Sequence, residues 1–267
     1  MMKFKKTLSA LIATVGLTFA SAGHAVIYSD IVMMVDESGS MGTVQANLRN
    51  NISTFASILQ AGGLDVRFAL VGYGSSNYLP RTMTNFTDAA GFATAANGLV
   101  ASGGTEPGYA AIQFALTSPT LTWRSNAVKN LIIFTDEPSN GDPSGTTQAT
   151  ADAALTTANA LFNAVLSGTN TIASYDDLYN AHGGNLYDLT QLGSTNQTVV
   201  QNFVTAFANS KLQETIDFCT ANPTAPECQG GNVPEPGSLA LMGLGMAGLA
   251  GLRRRTKSGQ AQKMVFA

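Results

Sequence analysis

The 267-residue sequence is poor in charge, cysteine, tryptophan and histidine. Charged side chains make up 12% of it, beside two cysteines, two histidines and a single tryptophan. Each scarcity excludes something. Two cysteines cannot build a small disulfide-stapled scaffold or, with no histidine nearby, a zinc site. Basic residues are rarest where a nucleic-acid surface would need them. Lys3, Lys5 and Lys6 open the chain, Arg253, Arg254, Arg255, Lys257 and Lys263 close it, and only six lie between. All 17 acidic residues fall between Asp30 and Glu235, so the middle carries a net charge of −11 that the overall −3 conceals. Such a surface repels nucleic acid and attracts cations.

Both ends read as addresses. A basic start, an apolar run from Leu8 to Ala20 and small residues at Ala20-Ser21-Ala22 and Gly23-His24-Ala25 form a secretory signal peptide. Cleavage is expected after Ala25, with Ala22 as the alternative. The apolar run is short for a span of about 20 residues. Export would permit a disulfide between Cys219 and Cys228, which flank a Pro-containing loop; two free thiols are the other reading.

Near the C-terminus, Pro234-Glu235-Pro236 is followed by an apolar run from Leu239 to Leu252 and then by Arg253-Arg254-Arg255. Fourteen helical residues rise only about 21 Å, against a hydrocarbon core of roughly 30 Å. The arginines favour a cytoplasmic end. This ordered triplet resembles the PEP-CTERM sorting signal of Gram-negative bacteria. The resemblance implies a transient membrane anchor, recognition by an exosortase and loss of the tail. Within the run, Gly243, Gly245 and Gly248 spell G-x-G-x-x-G, but no strand–helix unit surrounds them, so dinucleotide binding is rejected.

The middle alternates strand and helix signals. Ile31–Val35, Val66–Tyr73 and Leu131–Thr135 read as buried strands. Leu48, Ile52, Phe55 and Ile58 recur at helical spacing, as do Tyr109, Ile112 and Leu116, and again Leu155, Ala158, Phe162 and Val165. Arg81–Thr84 suggests a short edge strand and Asn185–Leu189 a late one. Breaks at Gly62-Gly63 and Gly103-Gly104 punctuate the pattern. The alternation predicts an α/β fold, Rossmann-like, with a mainly parallel central sheet flanked by helices on both faces.

Ligands of such sheets bind beyond the carboxyl ends of the strands. Asp36 directly follows Val35, and Asp136 directly follows Thr135, so parallel strands would put both carboxylates on one rim. The first continues as Asp36-Glu37-Ser38-Gly39-Ser40. This D-x-S-x-S run, with Gly103-Gly104-Thr105 and Phe134-Thr135-Asp136 after it, resembles the von Willebrand factor A (VWA) domain and its metal-ion-dependent adhesion site. The resemblance covers roughly residues 30 to 209. It implies that Ser38, Ser40 and Thr105 offer hydroxyl ligands to Mg²⁺, or to Ca²⁺ or Mn²⁺, with Asp36 and Asp136 acting largely through bound water. Hard divalent cations seek such oxygen donors. An open position would take a carboxylate from a protein or acidic glycan partner. Glu37 stands where the family often has a small residue. Glu106 either begins the next helix, where its charge suits the positive dipole end, or acts as an auxiliary metal residue favouring Ca²⁺. Glu137 reads as a solvated loop residue.

The expected organisation is a signal peptide (1–25), a VWA domain (26–212), a Cys-containing linker (213–232), the sorting signal with its short transmembrane helix (233–256) and a cytoplasmic tail extension (257–267). The expected function is metal-dependent binding on an exported chain at the cell surface, in the extracellular matrix or in the medium. A structural matrix protein using the metal for stability is the alternative. A hydrolase is the weaker one: residues 38–42 read Ser-Gly-Ser-Met-Gly, not a G-x-S-x-G elbow, and His182 would be the only histidine left after signal removal. The chain is not expected to be an enzyme.

Overall fold

The computed structural model describes residues 26–76, 79–142 and 145–230. The expected signal peptide, the sorting signal with Pro234, Glu235, Pro236 and Arg253–Arg255, and the expected tail extension lie outside the described residues. Strands and helices alternate: β1 (Ile27–Asp36), α1 (Gly42–Ala61), β2 (Leu64–Tyr73), β3 (Arg81–Thr87), α2 (Ala89–Ala96), α3 (Gly108–Thr117), β4 (Ala127–Thr135), α4 (Gln148–Ala158), β5 (Leu161–Leu166), α5 (Thr169–Ala181), β6 (Leu186–Asp188), α6 (Leu189–Leu192) and α7 (Gln197–Ala221). The sheet runs β3-β2-β1-β4-β5-β6. Every pairing is parallel except the β2–β3 edge. This is the expected α/β architecture.

Alternation along the buried strands assigns each face its helices. Ile31, Met33, Val35, Ile132 and Phe134 face α1, α2, α6 and α7, where Phe55, Phe92, Phe203 and Phe207 complete the core. Val32, Met34, Leu131, Ile133 and Phe162 face α3, α4 and α5 with Ile112, Leu155 and Tyr175. Because both faces are covered, the central runs Ile31–Val35 of β1 and Leu131–Phe134 of β4 are apolar throughout, and β5 is apolar except at Asn163.

Two expectations need correction. The apparent helical stripe Leu155, Ala158, Phe162, Val165 is split. Helix α4 ends at Ala158, Asn159 adopts a left-handed conformation at φ 49°, and β5 begins at Leu161. A strand buried on both faces has no period of its own, so a short apolar run can continue a helical one by coincidence. The segment 213–232 is not simply a linker, since α7 continues to Ala221. Cys219 near its end is disulfide-bonded to Cys228 in a short 3₁₀ turn. The bridge packs with Ile27, Val128 and Leu161, at the starts of β1, β4 and β5. Chain entry and exit therefore share the edge of the sheet opposite the ends of β1 and β4.

Candidate metal centre

Parallel pairing of Val35 with Phe134 brings the ends of β1 and β4 side by side. Asp36, the last residue of β1, is wholly buried. Its Oδ1 accepts from Ser38 N–H at 2.7 Å and its Oδ2 from the Thr135 hydroxyl at 2.7 Å. Both oxygens are thereby held, and the main chain turns sharply. The turn places Ser38 Oγ 3.2 Å from Ser40 Oγ. Ser38 is nearly buried and Ser40 is exposed, so the pair opens towards solvent.

The loop carrying Thr105 is fastened to this turn. Ser38 pairs with Gly103 in an isolated parallel bridge, and Gly39 N–H donates to the Gly103 carbonyl at 3.2 Å. Ser102 and Gly103 both donate N–H groups to the Glu37 carbonyl, at 3.0 and 2.9 Å. Gly103 is obligatory by space: a β-carbon there would lie 1.5 Å from the Gly74 carbonyl oxygen. Gly74 itself sits at φ +79°, and a β-carbon there would lie 3.0 Å from the Thr105 carbonyl oxygen and 3.2 Å from Asp36 Oδ1. Thr105 thus borders the same small space as Asp36.

Asp136 enters from the end of β4. Its backbone carbonyl accepts from Thr171 Oγ1 at 2.9 Å, which anchors it on α5. Its carboxylate Oδ1 is buried and has no hydrogen-bond partner among the described residues. The five residues expected to form the site are therefore drawn to one rim. Cys219 and Cys228 are at the other.

Among the described residues no basic side chain pairs with Asp36, Asp136 or Glu106. Burial pushes the Asp36 carboxyl up to about 6, against the pull of its bonds from Thr135 and Ser38, and nearby Glu106 raises it further. Glu106 precedes α3 instead of starting it, and only 4% of it is exposed. Burial raises its carboxyl as well; the Asn140 hydrogen bond opposes this, and Glu137 and Asp136 add to it. Asn140 Nδ2 donates to Glu106 Oε2 at 2.9 Å, and Asn140 N–H to the Glu106 carbonyl at 2.9 Å. Glu106 therefore clamps the Thr105 loop to the loop after Asp136. Glu137 is exposed, as expected.

Among the described residues no group of three or more His, Cys, Asp or Glu side chains is placed to hold a metal. The donors here are of another kind, three hydroxyls and two carboxylates. That set suits a hard, oxygen-seeking cation, and the orphaned Asp136 oxygen is an acceptor lacking a donor or a charge.

Sequence reasoning missed Thr135 and Asn140, and noted Glu37 without its pairing. Thr135 orients Asp36; a hydroxyl at a strand end was its only signal. Asn140 carried none. Glu37 is wholly buried, its Oε1 2.5 Å from Arg81 Nη2 and 2.9 Å from Val100 N–H. His182 lies away from Ser38, its carbonyl accepting from Phe162 N–H at the start of β5 and its Nε2 2.8 Å from Asp152 Oδ1.

The model of the von Willebrand factor type A domain matches residues 30–214. The chain belongs to this family. The PEP-CTERM protein-sorting motif matches residues 232–255, which implies an exported VWA chain sorted by an exosortase. Among the described residues no helix is long and apolar enough to cross a membrane. Similar solved structures include proximal thread matrix protein 1 from the mussel byssus, 14% identical with a TM-score of 0.46. They also include the VWA domain of SpRpn10, 15% identical with a TM-score of 0.48. These alignments cover 68% and 61% of this chain; it spans 46% of the first protein's length and 93% of the second's. Among curated proteins none matches.

Proposed function

We propose that this VWA protein is a surface- or matrix-associated binding module that captures a protein or acidic glycan through a divalent cation. Ser38, Ser40 and Thr105 would hold the cation, with Asp36 and Asp136 beside it. The observation that carries this reading is that Asp36 and Asp136 stand at the adjacent ends of β1 and β4, with the Thr105 loop bridged to Ser38, and that one Asp136 oxygen is buried without a partner among the described residues. When bound, the cation supplies positive charge and an open position for a ligand carboxylate. The chain's own residues do the rest. The Ser38 N–H and the Thr135 hydroxyl aim Asp36, the Gly103 bridge sets the Thr105 loop, and the Glu106–Asn140 clamp holds that loop against Asp136.

The reading includes removal of residues 1–25, transient anchoring through the apolar run at 239–252, and a place outside the cell. Described chain exit at Gly230 follows the disulfide, on the edge opposite the candidate rim.

Calorimetric titration of the exported chain with Mg²⁺, Mn²⁺ and Ca²⁺, beside Asp36→Ala, tests the site. Saturable binding that the substitution removes supports it. No binding by the wild-type chain would move the weight to a metal-free structural role. If the metal binds but capture of envelope material is unchanged by EDTA, the metal serves stability alone.

A further inference from the structure

A second buried polar cluster, sharing no residue with the candidate metal centre, lies between α7 and β5. Lys211 on α7 is wholly buried, and its Nζ donates to Glu214 Oε1 at 2.6 Å. The same Oε1 accepts from Asn163 Nδ2 on β5 at 3.0 Å. Asn163 is also wholly buried, and Glu214 is 9% exposed. Glu214 Oε2 accepts from Asn185 Nδ2 at 3.4 Å. Asn185 N–H donates to Asn163 Oδ1 at 3.0 Å. Since a backbone N–H can only donate and a carboxylate only accept, the Asn163 carboxamide can point just one way. Lysine and glutamate are seldom buried this deeply.

The four groups hold the roles of an acyl transfer. Lys211 is an amine out of water, and burial lowers its proton affinity, although Glu214 opposes that. A neutral amine is a nucleophile. Asn163 Cγ is an acyl carbon whose oxygen already receives a backbone N–H, the donor needed as negative charge builds there. Glu214 touches both the attacking and the leaving nitrogen, the position of a group that takes a proton from one and returns it to the other. Amine and amide nitrogen share one acceptor oxygen, so the reactants are pre-positioned.

We propose that Lys211 and Asn163 become joined by an intramolecular isopeptide bond, formed autocatalytically with Glu214 as acid and base. Glu214 takes a proton from the Lys211 ammonium. Nζ then attacks Cγ, and the tetrahedral oxyanion is held by Asn185 N–H. Glu214 passes a proton to Nδ2, the Cγ–Nδ2 bond breaks, and ammonia leaves with the remaining proton. One ammonium and one carboxamide become one secondary amide and one ammonium ion, with no oxidant or reductant. The bond ties α7 to β5. With the disulfide at the end of the same helix, it gives an exported domain two covalent fastenings on its last helix.

The test is the mass of the folded, exported chain after disulfide reduction, with chymotryptic mapping to locate any change. The expected wild-type chain is lighter than its sequence requires by one ammonia, with fragments containing Asn163 and Lys211 joined. Glu214→Gln and Lys211→Met are expected at their full sequence masses. A wild-type chain at full mass overturns the proposal, as does an ammonia lost at some other asparagine without a joined fragment. Mass is read on the denatured chain, so the wild-type result decides even if a variant folds poorly.

Discussion

Glu37 Oε1 and Arg81 Nη2 lie 2.5 Å apart, joining the turn after β1 to the first residue of the edge strand β3. Glu37 stands between Asp36 and Ser38, and its carboxylate also receives Val100 N–H. Gly72 makes the room, since a β-carbon there would lie 2.7 Å from Glu37 Oε2. One buried carboxylate therefore links the turn after β1, strand β3 and the loop that leads to Thr105. Removing one partner of a buried ion pair costs about 3–5 kcal/mol. The Arg81 side chain is 39% exposed, so solvent recovers part of this, and Arg81→Met is expected to cost about 2 kcal/mol in urea unfolding. Adding Glu37→Gln should restore some of that stability. A double variant no better than Arg81→Met would show that the buried charge is not the cause.

Gly103 and its neighbour Gly104 are expected to differ in their response to alanine. A β-carbon on Gly103 meets the Gly74 carbonyl at 1.5 Å, while one on Gly104 meets nothing within 4 Å. Forcing atoms into a packed site costs about 1–3 kcal/mol, so Gly103→Ala should lower the melting temperature and weaken Mg²⁺ binding together. Gly104→Ala should leave both near wild type. Equal losses in the two variants would refute this account of the loop.

Tyr73 and Tyr175 are wholly buried, and burial raises both well above the ordinary tyrosine value of 10.0. Above that pH the unfolded chain releases their protons while the folded chain keeps them. The unfolded state then binds fewer protons, so stability falls as pH rises from about 10 upward. In an absorbance titration, two of the seven tyrosines are expected to ionise only in step with loss of the circular dichroism signal. Smooth titration of all seven before unfolding would contradict the burial.

The bridge from Cys219 to Cys228 closes a loop nine positions apart. A loop that short contributes roughly 2–3 kcal/mol by restricting the unfolded chain. Reduction should lower stability by about that amount while leaving cation binding unchanged, because the bridge is at the opposite edge from Asp36. Hydrogen exchange would locate the loosening at the end of α7. Loss of cation binding on reduction would show that the two edges are coupled.

Much of this domain was legible because its signals are local. Apolar runs at Ile31–Val35 and Leu131–Thr135 mark buried strands, and the residue after each is an aspartate at a strand's carboxyl end. D-x-S-x-S, the Gly-Gly-Thr loop and the second aspartate then follow in order. Strand β5 was not legible, because Phe162 and Val165 continue the spacing of Leu155 and Ala158 and only the left-handed Asn159 separates them. Of the two readings of Glu106, the helix start was not met, since α3 begins at Gly108 and the Glu106 carboxylate is held by Asn140, 34 positions away.

By itself, the sequence determined the alternating α/β plan, the order of the candidate site residues and the sorting motif near the C-terminal end, since these depend on periodicity and on neighbouring residues. Tertiary structure alone decided that Glu37 pairs with Arg81, that Asp136 keeps an unpartnered oxygen, and that Lys211, Glu214 and Asn163 meet in the core. Those are contacts between distant segments, and burial there makes every unpaired charge costly.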